Sequence, residues 1–438
     1  MSRATEALIL AVVLGAVRLG AQVILAPTTM RSSSEPGADQ PAANTLVLGT
    51  STGMVYDSNV LSSQPPVQDV QFTLYPLVGL RLERPMWDAL VSFVPGLSYS
   101  TASLPQYEAM SLTANLWLQS RPTERLSLEF TNDLISSSNP FDSLVGTAGS
   151  GSSSGGQAAV TNLNYLPRTN ESASAGAAYN LSTRTSLKAL ASYNYISYQN
   201  NPDLPAQTQL FQQTNSGQIL LSLSHGLSPK YRDSVQYVGQ IIDAGQGRIK
   251  TVGHSVQYGL TGTPTPNVKL SVYAGPQYVQ NTYSDLLSLN RVSSLKQIAG
   301  GWTWAGSASI GLTFGKTQVQ ASAFRQLGTG NQYQGSVRQS SIELSYIRQF
   351  ASKTELMVFS SYNVSTPVFV AQAISRVSNN YSSSGAAISK RLLDRWLVSC
   401  AYWYLFQNGR QTTQQLYSGD HNRVALSLSY SLSKPLPR

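Results

Sequence analysis

The sequence predicts an all-β chain: a closed antiparallel transmembrane β-barrel of about 18 strands (16 as the fallback), behind an export signal and a short disordered linker. Three observations carry this expectation. Apolar residues recur with period two along most of the chain, as in half-buried strands. The polar connections between those stretches alternate in length, short then long. Charge is also scarce: 12% of the 438 residues are charged, against about 25% in an ordinary soluble domain. Ser, Thr, Asn and Gln fill the gap, and the mean hydropathy stays at −0.13. Such a composition suits a wall with lipid on one side and water on the other.

The elements follow in order. Residues 1–21 read as a signal peptide. Arg3 is its positive start, Ala7 to Val17 its apolar core, Arg18 closes the run, and Leu19-Gly20-Ala21 precedes the cleavage point. Residues 22–43 are rich in Pro, Ser and Ala without periodicity and read as a periplasmic linker. The barrel is expected over 44–434. Its outward-facing sets include Val70, Phe72, Leu74, Val78 and Leu80; Trp87, Ala89, Val91, Phe93, Leu97 and Tyr99; Leu187, Ala189, Ala191, Tyr193 and Tyr195; and Val424, Leu426, Leu428, Tyr430 and Leu432. No later apolar run reaches the ~18 residues of a membrane helix.

Short turns are expected near Arg84-Pro85, Arg121–Glu124, Ser182–Arg184, Ser228–Lys230, Pro264–Pro266, Gly315-Lys316, Ser352-Lys353 and Leu393-Asp394. Longer polar loops fall between them, at about 57–69, 100–108, 137–170, 199–215, 243–249, 281–296, 327–336, 364–380 and 408–421. Short periplasmic turns with long external loops are the habit of bacterial outer-membrane barrels, so the expected location is the outer membrane. Trp87, Tyr99, Trp302, Trp304, Trp396, Tyr404 and Phe406 have outward parity near strand ends, as interface girdles do.

Little in the chain suits catalysis, and no enzyme is expected. The chain has three His residues, and His254 shares its face with Val256 while Ser255 points the other way. A nucleophile and its base need a shared face. Cys400 has lipid-facing parity and reads as an inert thiol; a single Cys allows neither an intramolecular disulfide nor a multi-Cys metal site. Asp57-Ser58-Asn59 reads as a turn rather than a cation site. No cofactor and no metal are expected. The absence of a binding motif and of aromatic–basic interleaving leaves no expectation of nucleic acid as a partner.

The net charge of +9 is informative by position. Assigning each charge to the nearer barrel end leaves the long-loop half balanced and puts nearly the whole basic surplus in the short-turn half. Arg81, Lys188, Lys269 and Arg395 alternate with apolar neighbours and should point inward there. A one-signed ring at a pore mouth concentrates oppositely charged ligands, so these four are the candidate anion contacts.

Gly53–Val60 (GMVYDSNV), Asp69 and Leu74–Leu80 (LYPLVGL) resemble the opening hairpin of outer-membrane β-barrel proteins associated with exopolysaccharide operons and PEP-CTERM-type systems. That resemblance implies a role in polysaccharide export or surface organisation, without enzymatic activity. The main expectation is therefore a conduit for an anionic exopolysaccharide, with outer-membrane lipid, the polysaccharide and periplasmic export components as candidate partners. The alternatives are a non-conducting barrel whose external loops contact surface polymer or a partner, and a general porin for small solutes.

Overall fold

The computed structural model describes residues 44–59, 66–102, 110–137, 168–198, 213–244, 249–283, 297–329, 336–350, 353–368, 378–393, 395–410 and 415–435. The signal, the linker and the middle of the 137–170 loop lie outside them. The strands are β1 (Thr45–Asp57), β2 (Asp69–Arg84), β3 (Trp87–Ser100), β4 (Met110–Ser120), β5 (Leu126–Ser137), β6 (Arg168–Asn180), β7 (Thr185–Tyr198), β8 (Gln213–Gly226) and β9 (Tyr231–Ala244). They continue with β10 (Ile249–Thr265), β11 (Val268–Tyr283), β12 (Gln297–Phe314), β13 (Thr317–Thr329), β14 (Ser336–Gln349), β15 (Thr354–Pro367), β16 (Ser378–Leu393), β17 (Trp396–Arg410) and β18 (Gln415–Pro435). Each pairs antiparallel with its chain neighbours, and β1 pairs with β18 from Thr45↔Pro435 to Asp57↔Arg423. The sheet is an 18-stranded closed barrel.

Period two sets the two faces. Phe72, Leu74 and Val78 on β2, and Val424, Leu426 and Leu428 on β18, stand exposed on the outside. The intervening positions look into the lumen, where polar side chains bond across strands. Ser51 and Ser429 hydroxyls lie 2.9 Å apart, Thr131 and Ser174 2.7 Å, and Gln236 Nε2 donates to Gln257 Oε1 at 2.8 Å. Lipid supplies no hydrogen bonds, so a spanning sheet closes on itself and shows it mainly apolar side chains. The chain is a bacterial outer-membrane barrel.

The eight short connections all lie at the end that also holds the first residue of β1 and the last of β18. At the opposite end several strands run further than the sequence suggests: the expected 408–421 loop contracts to 411–414, and β18 spans 21 residues. About 9–11 residues cross the hydrocarbon. The added length is sheet above the bilayer, where water wets the outer face and alternation is no longer required.

Two features locate special backbone. On the β2–β3 ladder, pairing stops after Leu74↔Leu97 and resumes at Val78↔Phe93, and Pro76 and Pro95 fall in this interval. Neither has an N–H to give. Gly275, beside Pro276 on β11, lets the β10 backbone approach so closely that a Cβ there would lie 1.9 Å from the Val256 carbonyl oxygen.

Barrel closure carries a buried charge cluster. Asp57, on the last residue of β1, accepts from Arg423 Nε at 2.6 Å and also from Arg423 Nη2, and lies 3.3 Å from His421 Nδ1. All three are buried. Asn59 N donates to Asp57 Oδ1 at 2.9 Å, which forms the expected turn at Asp57-Ser58-Asn59.

Two outcomes are expected. Arg423→Gln leaves a buried carboxylate without its main partner and should lower the unfolding free energy by about 3–5 kcal/mol in detergent–urea titrations, with Asp57→Asn in the same chain recovering part of it. An epitope tag at Gly151 should be reached by antibody on intact cells, whereas one in the 121–125 turn should require permeabilised outer membranes.

Candidate functional site: the lumen and its constriction

Strand parity places all four sequence-predicted residues on the inward face near the short-turn end, each on a different part of the wall. Arg81 lies on β2, Lys188 on β7, Lys269 on β11, and Arg395 immediately before β17. Lys188, Lys269 and Arg395 are exposed. Arg81 donates to Asp88 Oδ2 at 3.1 Å and lies 3.9 Å from Glu83. The four are spread around the ring and form no cluster.

Parity also places residues that the linear reading did not single out. Arg232 and Arg391 face inward at the same end, as do the acids Glu83, Asp88, Glu129, Glu343 and Glu355. Glu129 accepts from Trp117 Nε1 across the β4–β5 pair at 3.1 Å. Much of the basic surplus sits elsewhere: Arg121, Arg125, Arg184, Lys230 and Lys316 occupy turns, and Arg84, Arg348, Lys390 and Lys434 have outward parity. The inner mouth is thus mixed in sign, and the positive excess faces the periplasm and the membrane edge.

The two halves of the lumen differ. Toward the short turns the inward residues are exposed, as at Arg232, Lys269, Arg391 and Ser431; toward the long loops they are buried, as at Thr214, Ile242, Thr251, Asn281, Val337, Asn363, Trp403 and Leu405. Ala387, Ala401 and Trp403 form one apolar cluster on the β16–β17 wall, with Met357 and Ala425 packed against it.

A second apolar cluster reveals a break in the wall. Ile242, Val279 and Leu327 pack together, with Val368 against them. Ile242 and Val279 look inward from β9 and β11. Leu327 shares parity with Val319 and Ala321, which face outward lower on β13, yet its exposure is only 2%. The β12–β13 pairing explains this, because it ends at Gly306↔Arg325 although β12 continues to Gln297 and β13 to Thr329. Beyond that point the β13–β14 hairpin slides behind the wall, and its outer face packs on the inner faces of β9–β11. Gln240 Nε2 donates to the Leu327 carbonyl at 3.2 Å, and the Thr251 and Ser336 hydroxyls lie 2.6 Å apart. A Cβ on Gly253 would stand 2.8 Å from Leu327 Cδ2, so the small residue makes the room. The overlap narrows the lumen on its external side.

The sequence does carry a trace of these clusters. Where alternation requires a polar inward residue, the chain has apolar neighbours in a row: Ile241-Ile242, Tyr278-Val279, and Tyr402–Phe406. Such runs mark strand segments with apolar groups on both sides.

His254 is exposed on the outer face, with Nδ1 2.7 Å from the Tyr237 hydroxyl, while Ser255 is buried on the other face. Cys400 is exposed with outward parity. Among the described residues no group of three or more His, Cys, Asp or Glu is placed to hold a metal ion.

No protein-family model matches the chain, and no curated protein does. Among solved structures it is similar to OpdK of Pseudomonas aeruginosa with vanillate (9% identity, TM-score 0.43, 89% of this chain and 99% of that one). It is similar also to OccAB3 of Acinetobacter baumannii (8%, TM-score 0.42, 89% and 99%) and to OpdO of Pseudomonas aeruginosa (13%, TM-score 0.40, 90% and 98%).

Leu327→Asp tests the constriction. A carboxylate among Ile242 and Val279 costs several kcal/mol, on the order of 2–7 for an uncompensated polar group. The hairpin end should detach and become sensitive to added protease, while the barrel below keeps its heat-modifiable migration on gels.

Proposed function

We propose that the barrel is a porin-type channel for small polar solutes, with the overlapped β13–β14 hairpin as its size-limiting element. One observation carries this: a polar lumen, exposed at the short-turn end, is narrowed at the other end by a hairpin packed on the inner wall. Barrels of 16–18 strands have room for an aqueous channel, and a hairpin within such a channel limits what passes. A conduit for exopolysaccharide asks for a bore wide enough for a hydrated chain along its whole length, and the buried external half argues for the smaller cargo. In this reading Arg81, Lys188, Lys269 and Arg395 bias the mouth toward anions, and Glu83, Asp88, Glu129, Glu343 and Glu355 keep that bias weak.

In planar bilayers the purified protein should give discrete conductance steps with slight anion preference. Leu327→Asp should enlarge the steps. Changing Arg81, Lys188, Lys269 and Arg395 together to Gln should move the reversal potential toward cation preference. Single changes should have little effect, since one charge is worth only on the order of 1 kcal/mol at ~4 Å in a water-like dielectric. The difference should fade at 1 M salt, where the Debye length is ~3 Å. A bilayer that stays silent with fully folded protein would exclude the channel.

A further inference from the structure

Where the β13–β14 hairpin leaves the wall, it creates a crevice on the outside of the barrel. One lip is the upper part of β12, Gln297 to Ala305, which pairs with β11 but has no β13 partner. The floor is the outer-parity face of the hairpin behind it. Counting up from the Gly315-Lys316 turn, the paired stretch Gly306–Phe314 uses up about the 9–11 residues that cross the hydrocarbon. The crevice therefore opens at the level of the outer-leaflet head groups.

Its lining is chemically specific. Trp302 and Trp304 on the lip are 75% and 54% exposed. Beside them the Tyr278 ring covers Gly300 and lies 5.3 Å from the Trp302 ring, centroid to centroid. The Arg325 guanidinium lies over the Trp304 ring, 4.7 Å from its centroid. Arg338 stands one step further out on the same face of the hairpin, since Arg325 pairs with Ser340 and Leu327 with Arg338. Among the described residues no carboxylate is within ion-pair distance of either arginine, and Arg325 Nε is buried without a hydrogen-bond acceptor. Two guanidinium groups side by side repel each other, and the buried Arg325 Nε lacks an acceptor, so the pair is unfavourable unless an anion neutralises it. An anionic head group at that level supplies the missing acceptors, and Arg is the side chain best shaped to bind phosphate through two parallel bonds.

We infer that the crevice between β12 and the β13–β14 hairpin binds a phosphate-bearing lipid of the outer leaflet, its head group held by Arg325 and Arg338 and its apolar part lying against Trp302, Trp304 and Tyr278. The bound lipid also covers the free edge of β12, where the barrel's own ladder is missing. The site is on the membrane side of the wall and does not depend on conduction through the lumen.

The test uses the whole barrel in neutral maltoside micelles, with dodecyl phosphate as the amphiphilic probe, inorganic phosphate as the head group alone and dodecanol as the chain alone, read by native mass spectrometry. Dodecyl phosphate should be retained by the unaltered protein in preference to either fragment. Arg325→Gln with Arg338→Gln should weaken retention about tenfold or more, as expected for the loss of charge-assisted bonds. The double Lys replacement should keep part of it, and Trp304→Ala should weaken dodecyl phosphate alone. Heat-modifiable migration confirms folding of each variant. Equal retention by the double Gln variant overturns the proposal. So does inorganic phosphate binding as tightly as dodecyl phosphate, which would mark a plain anion site, and so does dodecanol binding as tightly, which would mark a plain apolar groove.

Discussion

The structure depends on the seam where the last strand meets the first. A sheet in lipid has no solvent to satisfy its edges, and an unpaired edge there costs several kcal/mol for each bare group. Pairing β1 with β18 from Thr45↔Pro435 to Asp57↔Arg423 removes both edges at once. It joins residues almost 400 positions apart in sequence, so the whole chain must be placed before this contact forms. At the external end the seam is fastened by Asp57, Arg423 and His421. A buried ion pair is a doubtful source of stability compared with apolar packing, but it is selective. It opposes one carboxylate to one guanidinium at one register, and a one-residue slip of β18 would turn Arg423 to the outer face, away from Asp57.

Against that rule the β12–β13 boundary is an exception, and it lies where the rule weakens. The paired part of β12 is about as long as the hydrocarbon is thick; above it, backbone groups meet head groups and water. The hairpin is therefore free to leave the wall and exchange ladder bonds for apolar contact with Ile242 and Val279. One departure has two consequences: a narrower lumen inside, and a crevice with two arginines outside. The same few residues thus shape both the candidate channel and the candidate lipid site.

Small residues make these close approaches feasible. Tyrosine rings lie over glycines of neighbouring strands on both faces: Tyr75 over Gly96 and Tyr273 over Gly259 inside, Tyr278 over Gly300 outside. Each ring covers backbone that glycine leaves bare, a pairing known to rescue strand glycines. At these positions the ring supplies the side-chain contact that a strand glycine lacks.

The sequence by itself determined the barrel class, a strand number of about eighteen, which side of the clearly alternating strands meets lipid, and the order of short turns and long loops. Period two and loop length are local properties, and the bilayer enforces them on every strand alike. The inward parity of Arg81, Lys188, Lys269 and Arg395 was legible for the same reason. Tertiary structure alone decided the rest. Whether those four meet, which acids answer them, and that Asp57 faces Arg423 across the seam all depend on which strands are neighbours around the ring. The inward slide of the β13–β14 hairpin was beyond a linear reading, because Leu327 keeps its outward parity in the sequence. Its burial arises only because the strand beside it has been left behind, which brings its outer face against the inner wall of strands far away in the chain.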